Sequence, residues 1–134
     1  MTTAIARRRE GYTHDVELDG DHTVVFDEPT EAGGENAGPS PTGMLAASLA
    51  ACTAITMEMY AERKEWPLAD VEVEVEMEKG AGDSPRRFGI TIRLPKELSE
   101  EQIDRLRVIA GKCPVHRALS EESDVSITER VELI

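Results

Sequence analysis

The 134-residue chain carries 27 acidic residues against 15 lysines and arginines, a net charge of −12, and a pI near 4.6. That field repels nucleic acid and anionic lipid, so neither is expected as a partner. The length suits one domain over residues 1–134, able to bury roughly two thirds of its unfolded surface. Residues 1 to 30 hold no apolar run of signal-peptide length, because Arg7, Arg8 and Arg9 form a charged arm leading into a polar alternating segment. The chain reads as cytoplasmic, where Cys52 and Cys113 are expected as free, catalytic or redox-active thiols rather than a structural staple.

Tyr12 to Leu18 and His22 to Asp27 are rich in Val, Thr and aromatics, and Asp19-Gly20 between them suits the positive φ angles of a tight hairpin turn. Glu28 to Pro39, with two prolines and several glycines and charges, is a loop of a length that usually carries function or an interface. From Asn36 to Met57 no residue is charged. Ser40 can cap a helix there and Pro41 suits its first position. Leu45, Leu49, Cys52, Thr56 and Met59 form one stripe of that helix, and alanines fill its other faces, so it is expected to be buried nearly all round. The run from Met44 to Met57 is shorter than the roughly twenty apolar residues of a membrane span, which favours a core helix. It should stop near Trp66-Pro67.

Val71 to Glu78 alternates without a fault, and Arg86 to Leu94 alternates again after a Gly/Pro turn, so the pair should set Arg87 and Arg93 against a row of glutamates. Ser99 and Gln102 form a capping box, and Leu98 with Ile103 is spaced as a hydrophobic staple. Gly111 is placed to end that helix in a left-handed conformation. Pro114 opens a further short helix with Cys113 at its N-cap. Val125, Ile127, Val131 and Leu133 then alternate with polar residues as a last strand. The expected fold class is α+β, in the order ββ-α-ββ-αα-β with antiparallel sheets.

Two sulfur nucleophiles sit on different helices. A helix N-terminus with Lys112, His116 and Arg117 nearby makes Cys113 the more acidic thiol on local physics. Cys52, among Leu, Ala and Met, needs a cation brought by another segment, since burial raises a thiol pKa. The competing reading makes both cysteines small apolar core residues. Cys113, His116 and Cys52 are soft ligands, but no fourth is evident, so neither metal nor cofactor is expected.

The segment GPSPTGMLAASLAACTAITM, followed on a later helix by KCPVHRAL, resembles the OsmC/Ohr family of thiol-dependent hydroperoxide reductases, in its OsmC-like branch. The resemblance implies an intertwined homodimer in which strands of both chains wrap two central helices. It implies that Cys52 is the peroxidatic thiol and Cys113 its resolving partner, with an organic and also an inorganic hydroperoxide as substrate and an external dithiol as reductant. The family's arginine comes from the N-terminal hairpin, where Arg9 is the nearest match. Thr42 and Gly43 stand where many members carry a glutamate. That departure keeps a second reading open, a catalytically weak binding or redox-sensing module with a cysteine-lined apolar pocket.

Overall fold

The computed structural model describes residues 1–134 as a mixed α+β chain of antiparallel strands and three α-helices. In chain order these are β1 (Ala4–Glu10), β2 (Thr13–Leu18), β3 (His22–Phe26), α1 (Pro41–Lys64), β4 (Glu72–Lys79), β5 (Pro85–Arg93), α2 (Glu100–Ala110) and α3 (Pro114–Leu119). By contact the chain divides into two compact units, Met1–Ala47 with Met77–Arg87 and Ser48–Glu76 with Phe88–Ile134.

The first unit is built on an antiparallel sheet in the order β1-β2-β3. The expected hairpin is present, with Asp19 and Gly20 at φ 52° and 76° and the Asp21 N–H donating to the Leu18 carbonyl at 3.0 Å. The arginine arm differs from expectation, for it is itself a strand, β1, with Ala6 opposite Val16 and Arg7 opposite Asp15. Every residue of β1 is exposed, so no buried alternation marks it in the sequence. Cross-strand charge marks it instead, through Arg9 to Asp15 at 2.5 Å and Arg7 to Glu17 at 4.0 Å.

The loop after β3 is organised around one buried carboxylate. Asp27, only 2% exposed, accepts from the Thr13 hydroxyl at 2.9 Å and from the N–H groups of Glu28, Ala37 and Glu35 at 2.7, 3.1 and 3.3 Å. Burial alone would raise its pKa, but the four donated hydrogen bonds outweigh that and hold the carboxyl below its ordinary value. The Pro39 carbonyl closes the loop by accepting from the Asp27 N–H at 3.2 Å. A Cβ on Gly34 would stand 2.0 Å from the Glu28 carbonyl oxygen, and one on Gly38 2.2 Å from that of Val25, so the chain can lie this close to itself only as glycine.

In the second unit, Met57 and Ala61 of α1 pack with Leu98 and with Leu106 and Ala110 of α2, and Trp66, Val73, Ile92 and Leu94 flank this core. The stripe that α1 buries is Leu49, Thr53, Met57 and Ala61. This corrects the expected stripe. Of the expected residues only Leu49 is buried, Cys52 and Thr56 are half-buried, and Met59 is 59% exposed. The expected burial nearly all round is not found in the single chain. By length and composition α1 is the one helix able to cross a membrane, yet one face of it is built into this core. It ends at Lys64, where Glu65 turns left-handed at φ 57° and the Trp66 N–H returns to the Ala61 carbonyl at 2.9 Å.

β4 and β5 pair as a hairpin, with Arg93 reaching Glu72 and Glu74 at 2.6 and 2.7 Å and Arg87 reaching Glu78 at 3.3 Å. All these ions are exposed, so each pair contributes at most about 1 kcal/mol. The Ser99–Gln102 capping box forms in both directions, at 3.1 and 2.9 Å. Gly111 is right-handed at φ −71°, not left-handed as expected, because the chain turns directly toward Cys113. The last expected strand is also absent: residues 121–134 have no regular structure, and Ile127, Val131 and Leu133 are 86%, 88% and 96% exposed. Their alternation is strand-like, but within this chain no strand pairs with it.

Two outcomes are expected. Leu106, fully buried, should cost about 2 to 5 kcal/mol when changed to Ala, read from urea unfolding. Since the native Asp27 carboxyl titrates below its unfolded value near about 4, its stabilisation is complete above that pH and is lost as pH falls through the native value. Asp27→Asn should therefore unfold in less urea at pH 7 and lose stability less steeply on acidification than the parent. Equal midpoints at pH 7 would remove this role for Asp27.

Candidate functional site

Both cysteines are free thiols in the second unit. Cys52 lies on α1, one position before the buried Thr53, which turns its sulfur to the edge of the buried face and leaves it half-buried. Cys113 is fully buried. The turn that follows α2 places it, with the Lys112 N–H donating to the Ile109 carbonyl at 2.9 Å and the Cys113 N–H to the Ala110 carbonyl at 3.3 Å. As expected, Cys113 is the N-cap of α3, its sulfur accepting from the His116 N–H at 3.5 Å with Pro114 next in line.

The two thiols lie near enough that each shifts the ionisation of the other. Burial pushes the Cys52 thiol up, but the neighbouring Cys113 thiol, Val115 N–H and Thr56 hydroxyl outweigh it, so its pKa lies below the ordinary thiol value. Cys113 moves the other way. Burial raises it first and the neighbouring Cys52 thiol raises it further, while the N–H groups of His116 and Val115 offset only part. Each sulfur is the largest side-chain influence on the other, an influence that the local sequence around either cysteine does not contain. A helix N-terminus does serve the sulfurs, and its Val115 N–H lowers both thiols. What His116 gives the sulfur is a main-chain N–H. Thr56 and Val115 carry no special mark in the sequence beyond their spacing, Thr56 one helical turn after Cys52 and Val115 two residues after Cys113.

The remaining expected residues belong to the first unit. Arg9 lies on β1 and is bound through two nitrogens to Asp15, at 2.5 and 3.3 Å. The hydrogen bond to Asp15 raises its pKa and lowers that of Asp15. Ala6, Val16, His14 and Phe26 line a cavity of about 880 Å³ that also takes in Ser40, Pro41, Thr42 and Lys79. Arg7 and Arg9 are on the opposite face of the sheet, with Asp15. Ser40 caps α1 by accepting from the Gly43 N–H at 3.1 Å, with no carboxylate in the cap. No cluster of three or more histidine, cysteine or carboxylate side chains is arranged to hold a metal ion.

The family model described as OsmC-like protein matches residues 33–128, a span that contains both cysteines and all three helices. The chain belongs to the OsmC-like family. Solved structures similar to this OsmC-like chain include a Psychrobacter arcticus 273-4 protein named for osmotic stress induction and detoxification response. It is 23% identical with a TM-score of 0.81, over 92% of this chain and 91% of that one. The organic hydroperoxide resistance protein OsmC from Legionella pneumophila is 26% identical with a TM-score of 0.63, over 91% and 92%. OhrB of Bacillus subtilis, an organic hydroperoxide resistance protein, is also 26% identical with a TM-score of 0.58, over 91% and 93%. No curated protein matches the chain. Arg9 precedes the matched OsmC-like residues.

Thiol titration follows from this geometry. Iodoacetamide should modify Cys52 before Cys113, and Cys113→Ala, which removes the neighbouring thiol, should raise the pH at which Cys52 reacts. Faster labelling of Cys113, or an unshifted Cys52 profile in the variant, would contradict this influence of Cys113 on Cys52.

Proposed function

We propose that this OsmC-like protein is a dithiol hydroperoxide reductase in which Cys52 attacks and Cys113 resolves. What carries the reading is the pairing of a half-buried Cys52 with a buried Cys113 thiol near enough to favour its ionisation. Family membership supports it, as do the hydroperoxide-resistance names of the Legionella and Bacillus proteins. The Cys52 thiolate attacks one peroxide oxygen and the O–O bond breaks. The sulfur is oxidised by two electrons to a sulfenic acid, and the departing oxygen takes up a proton as alcohol. Cys113 then attacks the sulfenic sulfur, water leaves, and a disulfide forms. An external dithiol reduces the bridge and is itself oxidised.

The pKa order suits this sequence of events. While Cys52 is a thiolate its charge helps hold the proton on Cys113. Oxidation of Cys52 removes that charge, so Cys113 becomes more acidic at the step where it must attack. The apolar surroundings of Cys52 on α1, including Ala51, Ala54 and Ile55, favour organic hydroperoxides over hydrogen peroxide. A reduced thiol pair also suits a cytoplasmic setting.

Arg9 is the arginine assigned to the thiol in this reading, and Asp15 competes for it. The working unit is a homodimer in which a second copy covers the apolar residues of the C-terminal segment, such as Val125 and Ile127. Thr42 and Gly43, with an N-cap that holds no carboxylate, favour the second reading, a weakly catalytic binding or redox-sensing module.

Hydroperoxide consumption with a dithiol reductant separates the two. Cys52→Ser should abolish turnover and sulfenate trapping, and Cys113→Ser should leave a sulfenate that is trapped but unresolved. Peroxide decay unchanged in both variants would remove the enzymatic reading and leave the module. Arg9→Ala should lower the rate, and Asp15→Asn, which frees the guanidinium, should raise it. Sedimentation should give a dimer for the full chain and a shift toward monomer after truncation at Ser123.

A further inference from the structure

Three cations gather around one phenol at the end of α1. Arg105 of α2 donates through Nε to the Tyr60 hydroxyl at 3.1 Å, with its guanidinium carbon 5.6 Å from the ring centre. The Arg63 guanidinium carbon lies 5.9 Å and the Lys64 ammonium 5.7 Å from the same centre. The setting makes this unusual, because the chain has 27 carboxylates to 15 lysines and arginines. Arg63, Lys64 and Arg105 are among the basic residues that no ion pair engages, and they are the three that meet at one aromatic ring.

We propose that Tyr60, Arg63, Lys64 and Arg105 form a binding site for one small oxyanion, a phosphate or carboxylate group. The Tyr60 oxygen already accepts from Arg105, so its own O–H is left to donate outward, beside two guanidinium groups and an ammonium. The three positive groups gather at one ring, each within 6 Å of its centre, rather than along a track, and the net charge of −12 opposes an extended polyanion. Trp66 stacks edge-on to Tyr60 at 5.5 Å, and with Arg105 it also lines a cavity of about 590 Å³. Glu101 and Asp104 line that cavity too and disfavour an anion deeper in it, so the oxyanion is held at the phenol. The cation cluster lowers the Tyr60 pKa, with the Arg105 hydrogen bond first among the causes. The site is independent of the dithiol chemistry.

Trp66 is the only tryptophan and therefore reports on the site. At constant ionic strength set with chloride, titrating the full chain with inorganic phosphate, and separately with acetate, should give a saturable change in Trp66 emission. Whichever anion saturates at the lower concentration identifies the headgroup class. Arg105→Gln and Lys64→Gln should each weaken that response at least tenfold, and Tyr60→Phe should weaken it while keeping the ring. Bound anion should also raise the pH at which the Tyr60 phenol ionises, read as the phenolate absorbance absent from Tyr60→Phe. A purely structural cluster would leave both readouts unmoved. A linear response matched by chloride, or full response in Arg105→Gln, would overturn the proposal.

Discussion

The mutual influence of two thiols organises the candidate site. Cys52 alone, set in an apolar helix, would be a weakly acidic thiol, and Cys113 alone would be an activated helix N-cap. Set beside one another they shift in opposite directions, Cys52 down and Cys113 up, each acting on the other. The α2 core of Leu106 and Ala110 fixes the turn that delivers Cys113, and Met57 and Ala61 fix the face of α1 that carries Cys52.

Much of the fold was legible because local rules and tertiary packing agree there. The β2–β3 hairpin, the Ser99–Gln102 box, the caps at Ser40 and Cys113 and the alternation of β4 and β5 are each written in a short stretch of sequence. The misreadings share a cause. β1 has no buried face, so periodicity could not find it. The segment after Leu119 has the right periodicity, but alternation describes a capacity to pair and does not supply the partner strand. On α1 the alanines make several stripes equally apolar, so the sequence left open which one is buried. Packing chose Leu49, Thr53, Met57 and Ala61.

The candidate site was legible in its atoms but not in its electrostatics. Both cysteines stand out by residue type and by their helices, yet their relative acidity depends on contacts from separate elements, α1, the turn after α2, and α3. Asp27 escaped notice for the same reason. A single aspartate before a loop is unremarkable until Thr13, Glu28, Glu35 and Ala37 are seen to converge on it. The OsmC-like family match begins at residue 33 and so adds nothing about the strands that hold Arg9.

The two sulfurs also differ in how they meet the outside. Cys52 is reachable and Cys113 is sealed, so if the pair closes into a bridge, an incoming thiol can strike only the Cys52 side. Cys113 must then depart, and a basic thiol is a reluctant leaving group. Such a bridge would exchange slowly with ordinary monothiols such as glutathione and would give way to partners whose second thiol completes the exchange before the first can be expelled.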